Sequence, residues 1–232
     1  MTILFSALPF ESVIILTLLK GKKALMGSVS GTFGYIGKRY MLVANSGVGS
    51  KACKNVIDAL LKEFPASDII FLGTAGAINP KLNIGDVVVA NAPVSWESSG
   101  DERFIPKTVF GATCSKQNSP GIKRGDEKYS FRIFRGNVVS WETPVFDDTV
   151  RSWLFSTTGA HCVDMETGYV AQLCKKKNLS FLTIRGISDK ASDDKRDPGY
   201  SPKIHAVWNA TIVALEVLSS PASVSMWPIK NL

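Results

Sequence analysis

Phe181-Leu-Thr-Ile-Arg-Gly-Ile187 is a nearly continuous apolar run, with β-branched residues at 183, 184 and 187. A strand with one wet face would alternate apolar and polar residues. This run does not, so it reads as a strand covered on both faces, as in parallel sheets flanked by helices. Ile3–Ala7, Asp68–Leu72 and Val87–Ala90 have the same character. Between them lie segments of helical spacing: Phe10–Leu19 behind Pro9, Lys51–Glu63 with Ala52, Val56, Ala59 and Leu60 on one side, Met165–Lys177, and Lys203–Ser219 behind Pro202. Asp147–Phe155 fits a further helix. Ala24–Ser30, Arg39–Ala44 and Arg132–Ser140 read as strands, with turns around Gly31, Gly34 and Gly37. Strands alternating with helices predict an α/β fold, three layers deep, around a mixed and mainly parallel sheet.

Residues 94–128 break this rhythm. They are polar, contain Pro106 and Pro120, and read as an excursion or lid. The last dozen residues read as a tail. No Gly/Ser linker, charge block or low-complexity tract divides the chain, so one domain is expected over residues 1–232.

Composition narrows the function classes. Hydrophobic residues are 45% and charged residues 20% of the 232, a globular balance. The net charge of +7 comes from scattered positives such as Lys20, Lys22, Lys23 and Lys175–Lys177. With no aromatic-rich basic segment, they read as a solvated surface and not as a nucleic-acid site. Cys53, Cys114, Cys162 and Cys174 form no CxxC pair, and only two histidines are present, which argues against a transition-metal site and a disulfide framework. Glu11 interrupts the apolar N-terminus, which lacks a basic leader, and no apolar run approaches the ~20 residues of a membrane span. Cytoplasm is the expected location, with no membrane partner.

In such sheets ligands sit beyond the carboxyl ends of the strands. Four places there carry chemistry: Glu11 after the first strand, Gly73-Thr74-Ala75-Gly76, Asp164-Met165-Glu166, and Arg185-Gly186-Ile187-Ser188-Asp189. Each has a plain alternative. Glu11 could be a first-turn helix acid. Gly73 and Gly76 could be turn glycines. Asp164, Glu166 and Ser188-Asp189 could be helix caps. Their joint occurrence on one predicted rim is what points to a site.

These pieces resemble the methylthioadenosine/S-adenosylhomocysteine nucleosidases of the purine nucleoside phosphorylase superfamily. The matching blocks are SALPFESVIIL (6–16), SGVGS (46–50), GTAGAINPKLNIGDVVVA (73–90), VDMETGYVAQLC (163–174) and RGISDKASDD (185–194). The resemblance implies a sheet of the nucleoside phosphorylase type, hydrolysis of the N-glycosidic bond of a purine nucleoside, and no cofactor or metal. It implies Asp189 as the acid that protonates the departing purine, steadied by Ser188, and Glu11 as the carboxylate that orients the attacking water. Glu166 would accept from the ribose hydroxyls, with Met165 against the sugar and Arg185 holding Glu166 or the water site. Thr74, Ala75 and Gly76 would border the substrate, and the Val145 backbone would meet the base. A homodimer is expected by resemblance.

Phe71 stands where relatives that use phosphate carry an arginine, and Glu11 would repel a phosphate dianion, so water is the expected nucleophile. Ser140-Trp141-Glu142-Thr143-Pro144-Val145-Phe146 departs from the family's base-binding pattern, leaving Trp141 or Phe146 as the stacking ring. Methylthioadenosine and S-adenosylhomocysteine are the favoured substrates. Futalosine or aminodeoxyfutalosine is the alternative. A phosphorylase and a non-catalytic nucleoside-binding protein are further readings.

Overall fold

The fold is that of a computed structural model, described for residues 1–26, 29–97, 108–113, 122–123, 130–193 and 200–220. In chain order it begins with β1 (Thr2–Ser6), α1 (Pro9–Leu18), β2 (Lys20–Met26), β3 (Val29–Ile36), β4 (Arg39–Asn45), α2 (Ser50–Glu63) and β5 (Asp68–Ala77). It continues with β6 (Val87–Ala90), β7 (Ala92–Glu97), β8 (Thr108–Thr113), β9 (Ile122–Lys123), β10 (Ile133–Arg135) and β11 (Val138–Ser140). The last elements are α3 (Asp148–Thr158), β12 (Cys162–Asp164), α4 (Thr167–Lys176), β13 (Ser180–Asp189) and α5 (Tyr200–Ser219).

β4, β1, β5 and β13 run parallel as neighbours, and β6 and β12 add antiparallel pairs, so the sheet is mixed. Alternation along the central strands divides the core in two. Ile3, Phe5, Ile69 and Phe71 face Cys53, Ile57, Val170 and Cys174 of α2 and α4. Leu4, Ile70, Leu72 and Ile184 face Ile15, Ala210, Val213 and Ala214 of α1 and α5. This is the expected three-layer α-β-α arrangement. A third cluster, Val139, Leu154, Ala160 and Val163, lies under α3.

Several boundaries differ from the sequence reading, each for a local reason. Gly31 and Gly34 lie inside β3 and are not turns; of the three glycines only Gly37, at φ 59°, turns the chain. Gly34 pairs with Gly21 across the hairpin, and a Cβ on Gly34 would lie 2.5 Å from the Lys20 carbonyl oxygen, so glycine here permits close strands. The strand read over Ala24–Ser30 is two strands, β2 and the start of β3. The Asp68 strand does not stop at Leu72 but carries Gly73–Ala77 as extended backbone. The Arg132–Ser140 strand is split between Arg135 and Val138, where the His161 ring packs so tightly that a Cβ on Gly136 would meet it at 2.6 Å. Residues 92–97 and 108–113 form an ordered antiparallel pair within the supposed excursion. The lid reading for 98–107, 114–121 and 124–129 and the tail reading beyond 220 lie outside the described residues.

α5 rests directly on β13. A Cβ on Gly186 would lie 2.0 Å from the Ala206 carbonyl oxygen and 2.5 Å from its carbon, both backbone atoms that cannot swing aside. Gly186→Ala is therefore expected to cost about 3 kcal/mol, lowering the melting temperature by about 6–12 °C. A thermal melt within about 2 °C of wild type, at most about 1 kcal/mol on that scale, would show that the helix does not seat this closely.

Candidate active site

β1, β5 and β13 run parallel, so their carboxyl ends open on one edge. The first turn of α1 and the start of α4 reach the same edge. A cavity of about 300 Å³ lies there. Its wall takes Leu8 and Glu11 from the first strand's exit, Thr74, Ala75 and Gly76 from β5, and Met165 and Glu166 from the β12–α4 junction. Ser188 and Asp189 from β13, the Thr143–Phe146 segment, Val48, Asp164 and Lys203 also line it.

Glu11 is 3% exposed and held from both sides. Its Oε2 accepts from the Leu8 backbone N–H at 2.9 Å, the reciprocal half of a helix capping box. Its Oε1 accepts from the Thr74 N–H at 2.8 Å and the Thr74 hydroxyl at 3.1 Å. The plain reading of a first-turn acid is thus also true, and the same group faces the cavity.

Glu166 sits just ahead of α4, and its Oε1 accepts from the Gly49 N–H at 2.8 Å. Gly49 has φ 95°, a left-handed value that aims this amide at the carboxylate. Burial pushes Glu166 up to about 7, and the Asp164 charge adds to it; Arg185 and the Gly49 amide pull the other way. Asp189 is half-buried at the far side. The Ser188 hydroxyl donates to its Oδ2 at 2.8 Å, and the Ala191 N–H donates to its Oδ1 at 2.9 Å. A Cβ on Gly76 would lie 2.7 Å from Asp189 Oδ1, so glycine at 76 leaves room for the acid.

Arg185 lies beneath this wall, 1% exposed, and does not line the cavity. Its guanidinium was expected to hold Glu166 or the water site. Instead Nη2 pairs with Asp164 Oδ2 at 2.8 Å, and Nε and Nη2 donate to the Thr167 hydroxyl at 3.0 and 2.8 Å. The plane lies over the Phe71 ring at 3.9 Å. It still comes close to Glu11: a Cβ on Gly73 would lie 2.0 Å from Arg185 Nη1 and 2.9 Å from Glu11 Oε1.

Asp164, read only as a possible cap, is the anchor of this lower layer. Its carboxylate accepts from the Ser140 hydroxyl at 2.6 Å and from the Thr167 N–H at 3.2 Å, besides Arg185. Of the two candidate rings, Phe146 lines the cavity at 57% exposure, whereas Trp141 packs on Trp153 at 5.6 Å. Sequence reasoning missed the Gly49 amide, although the Gly47 and Gly49 pair, both with positive φ, was the available signal. It also missed Leu8, Val48 and Lys203 in the wall. Among the described residues no group of three His, Cys, Asp or Glu side chains could hold a metal ion, and no helix is long and apolar enough to cross a membrane.

Comparison with known proteins gives the family of this fold. A 5′-methylthioadenosine/S-adenosylhomocysteine nucleosidase of Buchnera aphidicola subsp. Acyrthosiphon pisum is 26% identical over 182 residues, 75% of this chain and 78% of the relative. One of Mycobacterium bovis is 24% identical over 204 residues, covering 76% and 80%. Among solved structures, the nucleosidase of that name from Neisseria meningitidis, in complex with methylthio-immucillin-A, aligns with TM-score 0.74 at 20% identity, over 94% of this chain and 99% of that one. The futalosine hydrolase of Helicobacter pylori strain 26695 also aligns with TM-score 0.74 at 20% identity, over 93% and 96%. At these identities the solved structures establish the shared fold. The model of the phosphorylase superfamily matches residues 5–214, nearly the whole length that carries the cavity, and the chain belongs to that superfamily.

Proposed function

We propose that the chain is a nucleosidase that hydrolyses the N-glycosidic bond of a purine nucleoside, with 5′-methylthioadenosine and S-adenosylhomocysteine as the favoured substrates. The observation that carries this reading is the placing of three carboxylates, Glu11, Glu166 and Asp189, around one small cavity from three different strand ends. Asp189 donates a proton to N7 of the purine as the C1′–N9 bond breaks, so the base leaves neutral. Water adds to C1′ of the oxocarbenium-like sugar, and Glu11, fixed at both oxygens, orients it and takes its proton. Glu166 accepts from the ribose hydroxyls, Met165 lies against the sugar, and Phe146 covers the base beside Val145. The products are the free purine and a 5-substituted ribose.

Two features support water over phosphate as the nucleophile. No arginine lines the cavity among the described residues, since Arg185 is committed to Asp164 below it. Phosphate beside C1′ would also face Glu11 and Glu166, which a dianion tolerates poorly. Purine release is therefore expected at the same rate with and without inorganic phosphate. Appearance of the 5-substituted ribose 1-phosphate in place of the free 5-substituted ribose would overturn the hydrolase reading. The names of the relatives support a small-molecule nucleoside as substrate, and the resemblance alone supports a homodimer; a cytoplasmic location follows from the sequence reading.

Asp189→Asn keeps the shape of the acid but holds no transferable proton. It is expected to lower kcat at least about 100-fold, the lower range for general acid catalysis, with nucleoside binding retained. Near-native turnover would remove Asp189 from that role.

The raised Glu166 gives a pH signature. Below about 7 its carboxyl is protonated, and above it the carboxylate can accept from both ribose hydroxyls. A rising limb near pH 7 is expected in kcat/KM, lost together with tight binding in Glu166→Gln. A limb that persists unchanged in the glutamine variant would belong to another group.

A further inference from the structure

A polar cluster that the proposed chemistry does not use lies where β1 and β4 end. Ser6, Ser12 and Asn45 meet there; the two serines are fully buried and Asn45 is half-buried. Polar groups taken out of water cost free energy unless each finds a partner. Asn45 Nδ2 donates to Ser12 Oγ at 2.9 Å, to the Leu8 carbonyl at 3.3 Å, and to Ser6 Oγ. The Ser6 hydroxyl donates to the same Leu8 carbonyl at 3.3 Å, and the Ser12 hydroxyl donates to the Pro9 carbonyl at 3.3 Å. The cluster therefore converges on the main chain that enters α1. A carbonyl only accepts, so the Leu8 carbonyl requires the nitrogen end of the Asn45 amide.

That stretch of main chain holds Glu11. The Leu8 N–H donates to Glu11 Oε2 at 2.9 Å, and the Leu8 carbonyl accepts from the Glu11 N–H at 3.1 Å. Leu8 to Glu11 is thus a turn closed on itself, and a leucine at the N-cap brings no polar side chain to anchor it. Asn45, the last residue of β4, ties this closed turn to the sheet. The ribose side is held differently. The Gly49 amide that binds Glu166 belongs to the turn after β4. Backbone bonds hold that turn to β1, with the Ser46 N–H donating to the Ser6 carbonyl at 3.0 Å and the Gly47 N–H to the Ala7 carbonyl at 2.8 Å. The Asn45 side chain therefore bears on Glu11, and the backbone beyond it bears on Glu166.

We infer that Asn45 is a positioning residue for the attack of water: it holds the Leu8–Glu11 turn against β4, and so sets where the Glu11 carboxylate stands, without acting on the grip on the nucleoside. This rests on the nucleosidase reading above. Misplacing a reacting group by about 1 Å can cost on the order of 100-fold in rate. Loosening one of several ties costs less than that.

The test reads base release by the full-length protein from whichever of 5′-methylthioadenosine, futalosine, adenosine and inosine the wild type cleaves fastest. Folded sites are counted by titration with the corresponding C-nucleoside, which cannot be hydrolysed, and kcat is expressed per site. Asn45→Ala removes the side chain. Asn45→Asp keeps its shape but offers a carboxylate, which has no N–H for the Leu8 carbonyl. Both are expected to lower kcat per site about tenfold, near the upper range for one hydrogen bond, with C-nucleoside affinity within about twofold of wild type, the split that marks loss of an interaction felt in the transition state. The rising limb near pH 7 assigned to Glu166 should keep its position in both. Ser12→Ala, which leaves the Asn45–Leu8 bond in place, should stay within about threefold of wild type in kcat, less than a full hydrogen bond's worth. Wild-type kcat per site in Asn45→Asp overturns the inference, as does a loss that falls on affinity or moves the limb, or an equal loss in Ser12→Ala; each leaves the nucleosidase reading standing. Release by the wild type from none of the four nucleosides overturns that reading, and the inference with it.

Discussion

The site depends on the ion pair between Arg185, buried beneath the cavity, and Asp164, which reaches the cavity wall. A guanidinium this buried is tolerable only when its charge is met, and here Asp164, the Thr167 hydroxyl and the Phe71 ring all meet it. Removing one partner of such a pair costs about 3–5 kcal/mol, because the other charge is left buried and unmatched. The pair joins the end of β13 to β12 and the start of α4. The two elements that carry Asp189 and Glu166 are thereby fixed relative to each other. Electrostatically, Arg185 opposes and Asp164 reinforces the upward push on Glu166.

Much of the architecture was legible because burial on both faces leaves a plain trace. Runs such as Phe181–Ile187 have no wet side, and the helices between them keep a strict apolar spacing. The carboxylates at the rim were legible for the opposite reason: charged residues directly after such runs have few structural uses. What could not be read was set by partners distant in sequence. Gly31 and Gly34 look like turn residues until Gly21 is known to face Gly34. Asp164 looks like a cap, which it is, and nothing local announces Arg185 across the sheet. The role of the Gly49 amide needs Glu166, 117 residues away. Lys203 carries no motif at all; the packing of α5 on β13 is what brings its first turn to the cavity wall. The segment at 141–146 resisted alignment because its two aromatics divide the work of packing and of facing the cavity, and composition does not say which does which.

Glu11 leaves a last consequence. One of its oxygens ties the chain at Leu8 and the other ties the backbone at Thr74, so the carboxylate acts as a brace between two strand exits. An amide in its place offers one acceptor where two are in use, and a shorter acid cannot span the gap. The exits of β1 and β5 are therefore held in register by a single side chain, and a change at Glu11 acts on the backbone at Leu8 and Thr74 as well as on the cavity it faces.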